Sequence, residues 1–482
     1  MLPQIWPAVL TLGWILLVIA AGEAAMALLA LAVADCVAQV FAVDAAITAA
    51  VAGACILTTK GRPFELRFRD AALLTATSWF VVPAFAALPL MAKPIGLSFV
   101  DAYFEMVSGI TTTGSTVMTG LDTTAPSILL WRSLVEWIGG VGIIGLALIV
   151  LPFLKIGGMQ LFRLESSDRS ENLLPNTRAV ANAVGRVYLV LTVLCFLTYW
   201  VLGMSVFDAL NHALTTLPTA GFSTHDASFG WFNSPALEWA GTVFMVAGSL
   251  PLLAFLRVLR PGTLRERLDP QVVTFFLILT GATLVFAGWM IIAKCFDIGT
   301  ALTKSAFNVS SVISTTGFVS FDYTALGAFA GVLFFLLNFI GGCTGSTAGA
   351  LKIFRLQVMT KVIVQHVRQA IHPHAVAPVR YAGRSLTDDQ VASVGAFVFL
   401  YFAAFVAGAV ALAALGLDAE VAFSSAAQAL GNVGPGIGPV VGPAGNFAGL
   451  PDAAKVVLSF AMIIGRLEIL GVLILFLPSF YR

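Results

Sequence analysis

The chain has 482 residues, of which 59% are hydrophobic and only 11% charged, and its mean hydropathy is +0.94. A soluble chain carries about a quarter charged residues, so this composition excludes a soluble globular protein and points to one that crosses a membrane many times. A net charge of +1 offers nothing to a nucleic-acid partner.

Residues 8–34 and 37–58 are the first stretches long enough to span a bilayer. No basic residue precedes Lys60. A secretory signal needs a charged leading region, so residues 8–34 read as a retained membrane helix in spite of Glu23. Five cysteines (Cys36, Cys55, Cys195, Cys295 and Cys343) are scattered in or beside apolar stretches. Their spacing suits neither a metal site nor a disulfide framework, and lone buried thiols are expected.

Beyond Lys60 one unit repeats four times: a spanning helix, a short apolar segment, a Thr/Gly loop and a second spanning helix. The units read as 70–91, 99–110 and 127–154; 180–203, 206–217 and 236–256; 272–293, 301–313 and 325–354; and 390–415, 419–430 and 455–480. Segments of about a dozen residues are too short to cross and read as re-entrant. The chain therefore divides into two leading helices, 1–60, and four units, 61–160, 161–260, 261–358 and 359–482. The loop glycines Gly114, Gly221, Gly317 and Gly434 lie 107, 96 and 117 residues apart. Such a period means tandem membrane units rather than a solenoid.

Charge gives an independent topology. Between the units, or at helix ends beside those connections, stand Lys60, Arg62, Arg67 and Arg69, then Lys155 to Arg186, Arg257 to Arg267, and Lys352 to Arg384. The loop side holds only Lys93, Lys294, Lys304 and Lys455. The positive-inside rule puts the inter-unit connections and both termini in the cytoplasm, with the Thr/Gly loops outside. Ten spans, an even number, agree with that.

The four loops are Thr112-Thr113-Gly114, Thr219-Ala220-Gly221, Thr315-Thr316-Gly317 and Asn432-Val433-Gly434. They are too polar for lipid. Irregular backbone at membrane depth is tolerated where it lines a cavity, and glycine supplies positive φ. A dehydrated K⁺ needs oxygens in place of its water, and rings of backbone carbonyls supply them. The helix before each loop aims its negative C-terminal end at the same point. One such triplet is an ordinary turn; four in equivalent places read as an ion filter.

Gly341-Gly342-Cys343-Thr344-Gly345-Ser346-Thr347-Ala348-Gly349 interrupts an apolar helix. Glycine in a helix costs roughly 1 kcal/mol per residue. Two readings stand: close helix packing through small residues, or a broken helix whose loop crosses beneath the filter. Arg466 sits within the apolar stretch 459–475, where an arginine costs about 2.5–3.5 kcal/mol. It reads either as half of an ion pair or as a fixed charge that sets the barrier to cations. Arg132 and Glu136 are four apart and can pair on one helix face. Glu238 holds a similar place in the second unit, and both sets read as helix braces. Asp122, Asp226 and Asp322 follow the loops and are either cation attractors at the mouth or solvated loop carboxylates. His372 and His374 read as surface histidines.

These motifs resemble the Trk/Ktr/HKT superfamily of potassium transport proteins over essentially the whole chain, and the two leading helices resemble its TrkH-type branch. The resemblance implies an all-α polytopic membrane protein, with four tandem helix–pore-loop–helix units around one pseudo-fourfold pore and two extra N-terminal transmembrane helices. In this superfamily glycine at all four filter positions goes with K⁺ conduction, and serine in the first loop with Na⁺ preference. The Gly341, Gly342, Cys343, Gly345 and Gly349 segment resembles the family's intramembrane gate, with Ala348 and Ala350 where relatives carry more glycine. The family also has an arginine at the place of Arg466. Gly157 to Arg163 resembles the family's post-helix motif, but Ser166-Ser167-Asp168 replaces the acidic-proline segment that follows it. The implied partners are a second copy of the chain, a cytosolic nucleotide-binding regulatory ring of the RCK type and the lipid bilayer. No covalent cofactor is implied, only K⁺ in the filter.

The expectation is K⁺ uptake across a bacterial inner membrane. The alternative is a symporter coupled to H⁺ or Na⁺, with Glu136, Glu238 and Glu468 as candidate titrating groups. No HExxH and no GxSxG with a plausible partner occurs, which argues against a membrane enzyme.

Overall fold

A computed structural model describes residues 5–62, 68–149, 177–258, 269–374 and 378–478. The Gly157–Arg163 motif, Ser166-Ser167-Asp168, and Arg67, Lys155, Arg163, Arg169, Arg260, Arg265, Arg267 and Arg482 lie outside the described residues.

Two leading helices, α1 (Ile5–Ala32) and α2 (Ala38–Thr59), form an antiparallel hairpin. The first unit is α3 (Phe68–Ala86), α4 (Leu88–Met91), α5 (Phe99–Ile110) and α6 (Pro126–Ile149). The second is α7 (Thr177–Val201), α8 (Val206–Thr216), α9 (Pro235–Ser249) and α10 (Leu252–Val258). The third is α11 (Pro270–Lys294), α12 (Ile298–Ile313), α13 (Ala328–Leu337) and α14 (Ile353–Ile371). A two-residue hairpin, Arg380–Tyr381 with Arg384–Ser385, leads into the fourth. That unit is α15 (Asp388–Ala414), α16 (Ala419–Gly431), α17 (Gly438–Val441), α18 (Asp452–Arg466) and α19 (Ile469–Leu473).

Among the described residues, six helices are long and apolar enough to cross a membrane: α1, α2, the α3–α4 stretch, α7, α11 and α15. Their outward faces stay apolar, with Ile292 85% and Phe399 73% exposed, as lipid requires. The second helices of units two to four are not the unbroken spans expected at 236–256, 325–354 and 455–480. In the second unit the break falls at Leu250–Pro251, where proline has no N–H to continue the ladder and biases its predecessor towards extended backbone. Leu250 is extended, at φ −84 and ψ 155. In the third unit the glycine-rich run separates α13 from α14. In the fourth, Glu468 adopts a φ of 58° and ends α18.

Three of the four short helices begin alike, while Asp418, before α16, makes no such side-chain bond. Ser98, Ser205 and Asp297 each accept the backbone N–H three residues on, from Asp101, Asp208 and Thr300, the usual N-cap bond. Contacts between units recur at three of the four junctions. α6 packs on α8 of the next unit, α9 on α12, and α18 on α5 of the first unit. The leading hairpin, first and fourth units share one apolar core, while the second and third each gather around their own.

Candidate functional site

Each short helix ends in the same hydrogen-bonded turn. Thr112, Thr219, Thr315 and Asn432 donate their N–H to Gly109, Thr216, Val312 and Ala429, three residues back, at 2.9, 3.0, 3.0 and 3.2 Å. The following residues, Thr113, Ala220, Thr316 and Val433, donate to Ser108, Thr215, Ser311 and Gln428, five back, at 2.8, 3.0, 2.8 and 3.0 Å. This is the Schellman pattern, whose left-handed residue is usually glycine. Here it is threonine three times and asparagine once, with φ of 52°, 55°, 58° and 53°. A β-branched residue in that region is a true outlier, and such strain gathers at functional sites. Two residues on, Gly114, Gly221, Gly317 and Gly434 again take positive φ, 82°, 93°, 85° and 105°.

The four loops meet in cyclic order. A Cβ on Gly114 would collide with the carbonyl oxygen of Ala220, one on Gly221 with that of Thr316, one on Gly317 with that of Val433, and one on Gly434 with that of Thr113. Each glycine thus abuts the next unit's carbonyl, and the fourth returns to the first. One cavity of about 270 Å³ is lined by all four glycines, with Ser115, Arg132, His225 and Asp226 around it. The ring is laced by bonds between units. Ser115 Oγ donates to Gln428 Oε1 and Gly434 O, each at 2.9 Å. Asn432 Nδ2 donates to Thr113 Oγ1 at 2.9 Å, and Phe447 N to Thr116 O at 2.9 Å.

Behind the ring stand polar residues that sequence reasoning missed. Glu105 accepts from Thr116 Oγ1 and Val117 N at 2.8 Å. His212 Nε2 meets Ser223 Oγ at 3.0 Å, and Asn308 binds both the N–H and the hydroxyl of Ser320. Each stands nine residues before its loop glycine and ties its short helix to the limb leaving the loop. That equal spacing was the available signal. Gly139, Gly248 and Gly465 also went unread. A Cβ on them would collide with Ile110, Leu217 and Leu430 carbonyls at the ends of the short helices.

The expected Arg132–Glu136 pair does not form. Arg132 Nε and Nη2 bind the fully buried Glu105 at 2.9 and 2.7 Å, because that acid needs a counter-charge and guanidinium can meet it with two donors. Arg132 Nη1 also donates to Ser223 O at 3.3 Å, and the guanidinium covers the Phe222 ring at 4.1 Å. Glu136 instead accepts the Phe222 N–H at 3.2 Å. Both residues hold the second unit's loop. Glu238 pairs with Lys304 at 2.6 Å, and Lys455 with Asp101.

The three loop aspartates all have local work. Asp122 meets His225 Nδ1 at 2.5 Å. Asp226 accepts the N–H of Gly120 and Leu121 at 3.0 and 3.2 Å. Asp322 accepts the Thr324 N–H and hydroxyl at 2.9 and 2.6 Å. His372 and His374 are exposed. The five cysteines are free.

The glycine-rich segment lies against the ring's underside. Gly349 N donates to Thr315 Oγ1 at 2.7 Å. Thr347 Oγ1 donates to Leu217 O and Gly248 O, each at 3.0 Å, and receives Thr219 Oγ1 at 3.3 Å. Ala350 N donates to Gly431 O at 2.9 Å. The segment therefore touches the short-helix ends of units two, three and four. Its outer half is pinned by Cys343 N to Ser249 O, Thr344 N to Gln271 Oε1 and Leu252 N to Gly345 O, at 2.9, 2.8 and 3.1 Å. Gly341 N closes the break by donating to Leu351 O at 2.9 Å, Ser346 Oγ donates to Cys343 O at 2.6 Å, and Ile353 N reaches Gly342 O at 3.2 Å.

Arg466 is 4% exposed, and its Nε and Nη2 have no hydrogen-bond partner among the described residues. The ion-pair reading gains nothing, since the nearby Glu468 is bound to Arg355 at 2.7 Å. Lys352, whose Nζ donates to Ala348 O, shares the field of Arg466, Arg355 and Glu468.

Four helix–loop–helix units closed on a ring of glycines define a multi-pass membrane protein of the cation-transport class. The chain belongs to the TrkH family, described as cation transport proteins, whose profile matches residues 37–480. It is 44% identical over 443 residues to the Trk system potassium uptake protein TrkI of Halomonas elongata, covering 92% of this chain and 90% of that one. It is 34% identical over 426 residues to the Trk system potassium uptake protein TrkH of Escherichia coli, covering 87% of each. The crystal structure of the potassium transporter TrkH from Vibrio parahaemolyticus superposes with a TM-score of 0.91 at 32% identity, over 99% of this chain and 100% of that one.

Proposed function

We propose that this chain takes up potassium by channel-like conduction through the four-loop ring. The observation that carries the reading is the cyclic contact of each loop glycine with the next unit's carbonyl, around a cavity all four line. Carbonyls gathered on one axis replace the hydration shell of a bare cation. Thr112, Thr113 and Gly114, with their counterparts in the other three units, form the filter. The relatives named as potassium uptake proteins support K⁺ as the cargo.

The 341–349 segment is the gate, because it closes the underside of the ring and is fastened there by a handful of hydrogen bonds. Arg466 is the barrier charge beneath it. Symport draws less support, since Glu136, Glu238 and Glu468 are each held by a donor. The protein sits in a bacterial inner membrane with both termini cytoplasmic, as a homodimer that answers to an RCK-type ring. The named Trk-system relatives and the charge asymmetry support this.

Radiotracer K⁺ and Na⁺ uptake into liposomes holding the chain alone tests the reading. K⁺ flux driven by voltage and the K⁺ gradient is expected, with no K⁺ accumulation driven by a pH gradient alone. Flux driven by the pH gradient would favour symport. Arg466→Ala should raise cation flux; folded protein with unchanged flux would remove its barrier role.

A further inference from the structure

The leading hairpin carries buried acids that no part of the ring uses. Glu23 on α1 is 0% exposed, and among the described residues neither carboxyl oxygen makes a hydrogen bond of normal geometry, Thr48 being the hydroxyl beside it. On α2, Asp44 is 8% exposed and its Oδ2 has no hydrogen-bond partner among the described residues, and Thr48 is 0% exposed and bears on the Glu23 carboxyl. At 1.5 Å per residue, Glu23 lies about 14 Å below the end of α1, and Thr48 about 15 Å along α2. They share one level, near the middle of a bilayer about 30 Å thick. Asp44 is one turn nearer the 33–37 turn. That turn faces the loop side, since Asp35 accepts the N–H of Ser127 at the start of α6. Thr48 and Asp44 are the polar groups that bear on Glu23.

Among the described residues, the helices packed on α1 bring no counter-charge to this level. α3 carries Arg69 and Asp70 in its first turn, at the opposite end of the bundle. On α6, Arg132 is committed to Glu105 and Glu136 to the Phe222 N–H. A bare carboxylate at membrane depth is costly without a partner, and two acids that feel each other do not both ionise readily. Thr48, fully buried at the same level, sets its hydroxyl beside the Glu23 carboxyl and brings no positive charge to it.

We propose that Glu23 and Asp44, with Thr48 beside them, form a membrane-embedded site that binds one exchangeable proton, and that its occupancy tunes cation flux. The route to the ring is short. Gly22, next to Glu23, lies where a Cβ would meet the Trp131 ring at 2.9 Å. Phe41 of α2 meets the same indole edge-on at 6.0 Å. Trp131 precedes Arg132, which holds Glu105 and Ser223 behind two of the four loops. A change in hairpin packing reaches those straps through one indole.

A hydrophobic carbodiimide, N,N′-dicyclohexylcarbodiimide, couples to protonated carboxyls in apolar surroundings. Proteoliposomes treated across a pH series, followed by peptide mass mapping, should show an adduct on Glu23 whose yield falls as pH rises. The adduct should vanish in Glu23→Gln, and the pH dependence of K⁺ flux should flatten in that isosteric variant. Asp44→Asn leaves Glu23 in place and should move the midpoint of both profiles, which keeps the test open if Glu23→Gln folds poorly. No adduct at Glu23, a yield independent of pH, protection by Na⁺ at constant pH (a metal-cation site instead), or a wild-type flux profile in folded Glu23→Gln would each overturn the proposal.

Discussion

Thr112, Thr219, Thr315 and Asn432 hold a backbone conformation that costs an L-residue roughly 1–2 kcal/mol. Thr112 Oγ1 has no hydrogen-bond partner among the described residues, so Thr112→Gly should raise the melting temperature in detergent. Thr315→Gly should gain less, because it loses the bond from Gly349 N. Equal shifts would mean that this bond contributes nothing. Arg132→Ala strips the counter-charge from a fully buried Glu105 and should cost about 3–5 kcal/mol, read as a lower melting temperature and lost flux. The loop glycines were legible because they recur in equivalent places. The Arg132 partner was not, since helical spacing sees only one helix and Glu105 stands 27 residues away on another.

At the scale of elements, the glycine-rich segment should respond to its fastenings. Thr347→Ala removes the hydroxyl that serves Leu217 O, Gly248 O and Thr219. Losing buried hydrogen bonds of this kind costs about 1–3 kcal/mol, here borne by the arrangement in which the segment lies against the ring. K⁺ flux should rise while the filter, which Thr347 does not build, keeps its preference for K⁺ over Na⁺; unchanged flux would detach the segment from gating. The short helix expected at 99–110 appears with those bounds as α5. The one expected at 301–313 starts earlier, at Ile298, because Asp297 caps it and hydropathy does not register caps. The break at Leu250–Pro251 was legible in principle from the proline. The one at Glu468 was not, because its ion pair with Arg355 is made to a residue 113 positions away.

For the whole molecule, hydropathy and charge both gave four units and two leading helices, and the family match and fold agree with that architecture. That the four loops share one axis was expected from their recurrence and the family resemblance; the particular contact of Gly434 with Thr113 was not, because no local pattern states it. Topology is open to a direct check. Cys36 and Cys295 are exposed at loop-side connections, while Cys195 and Cys343 are buried. A membrane-impermeant maleimide applied to intact cells should label the first two alone; labelling only after permeabilisation would invert the orientation. The central claim is that the four glycine loops hold a bare monovalent cation on their common axis. Anomalous scattering from crystals grown in rubidium tests it most directly. A rubidium peak should lie between Gly114, Gly221, Gly317 and Gly434, within carbonyl reach of all four loops, and should be lost in Gly221→Ala. An empty ring in folded wild-type protein, with rubidium bound elsewhere, would contradict it.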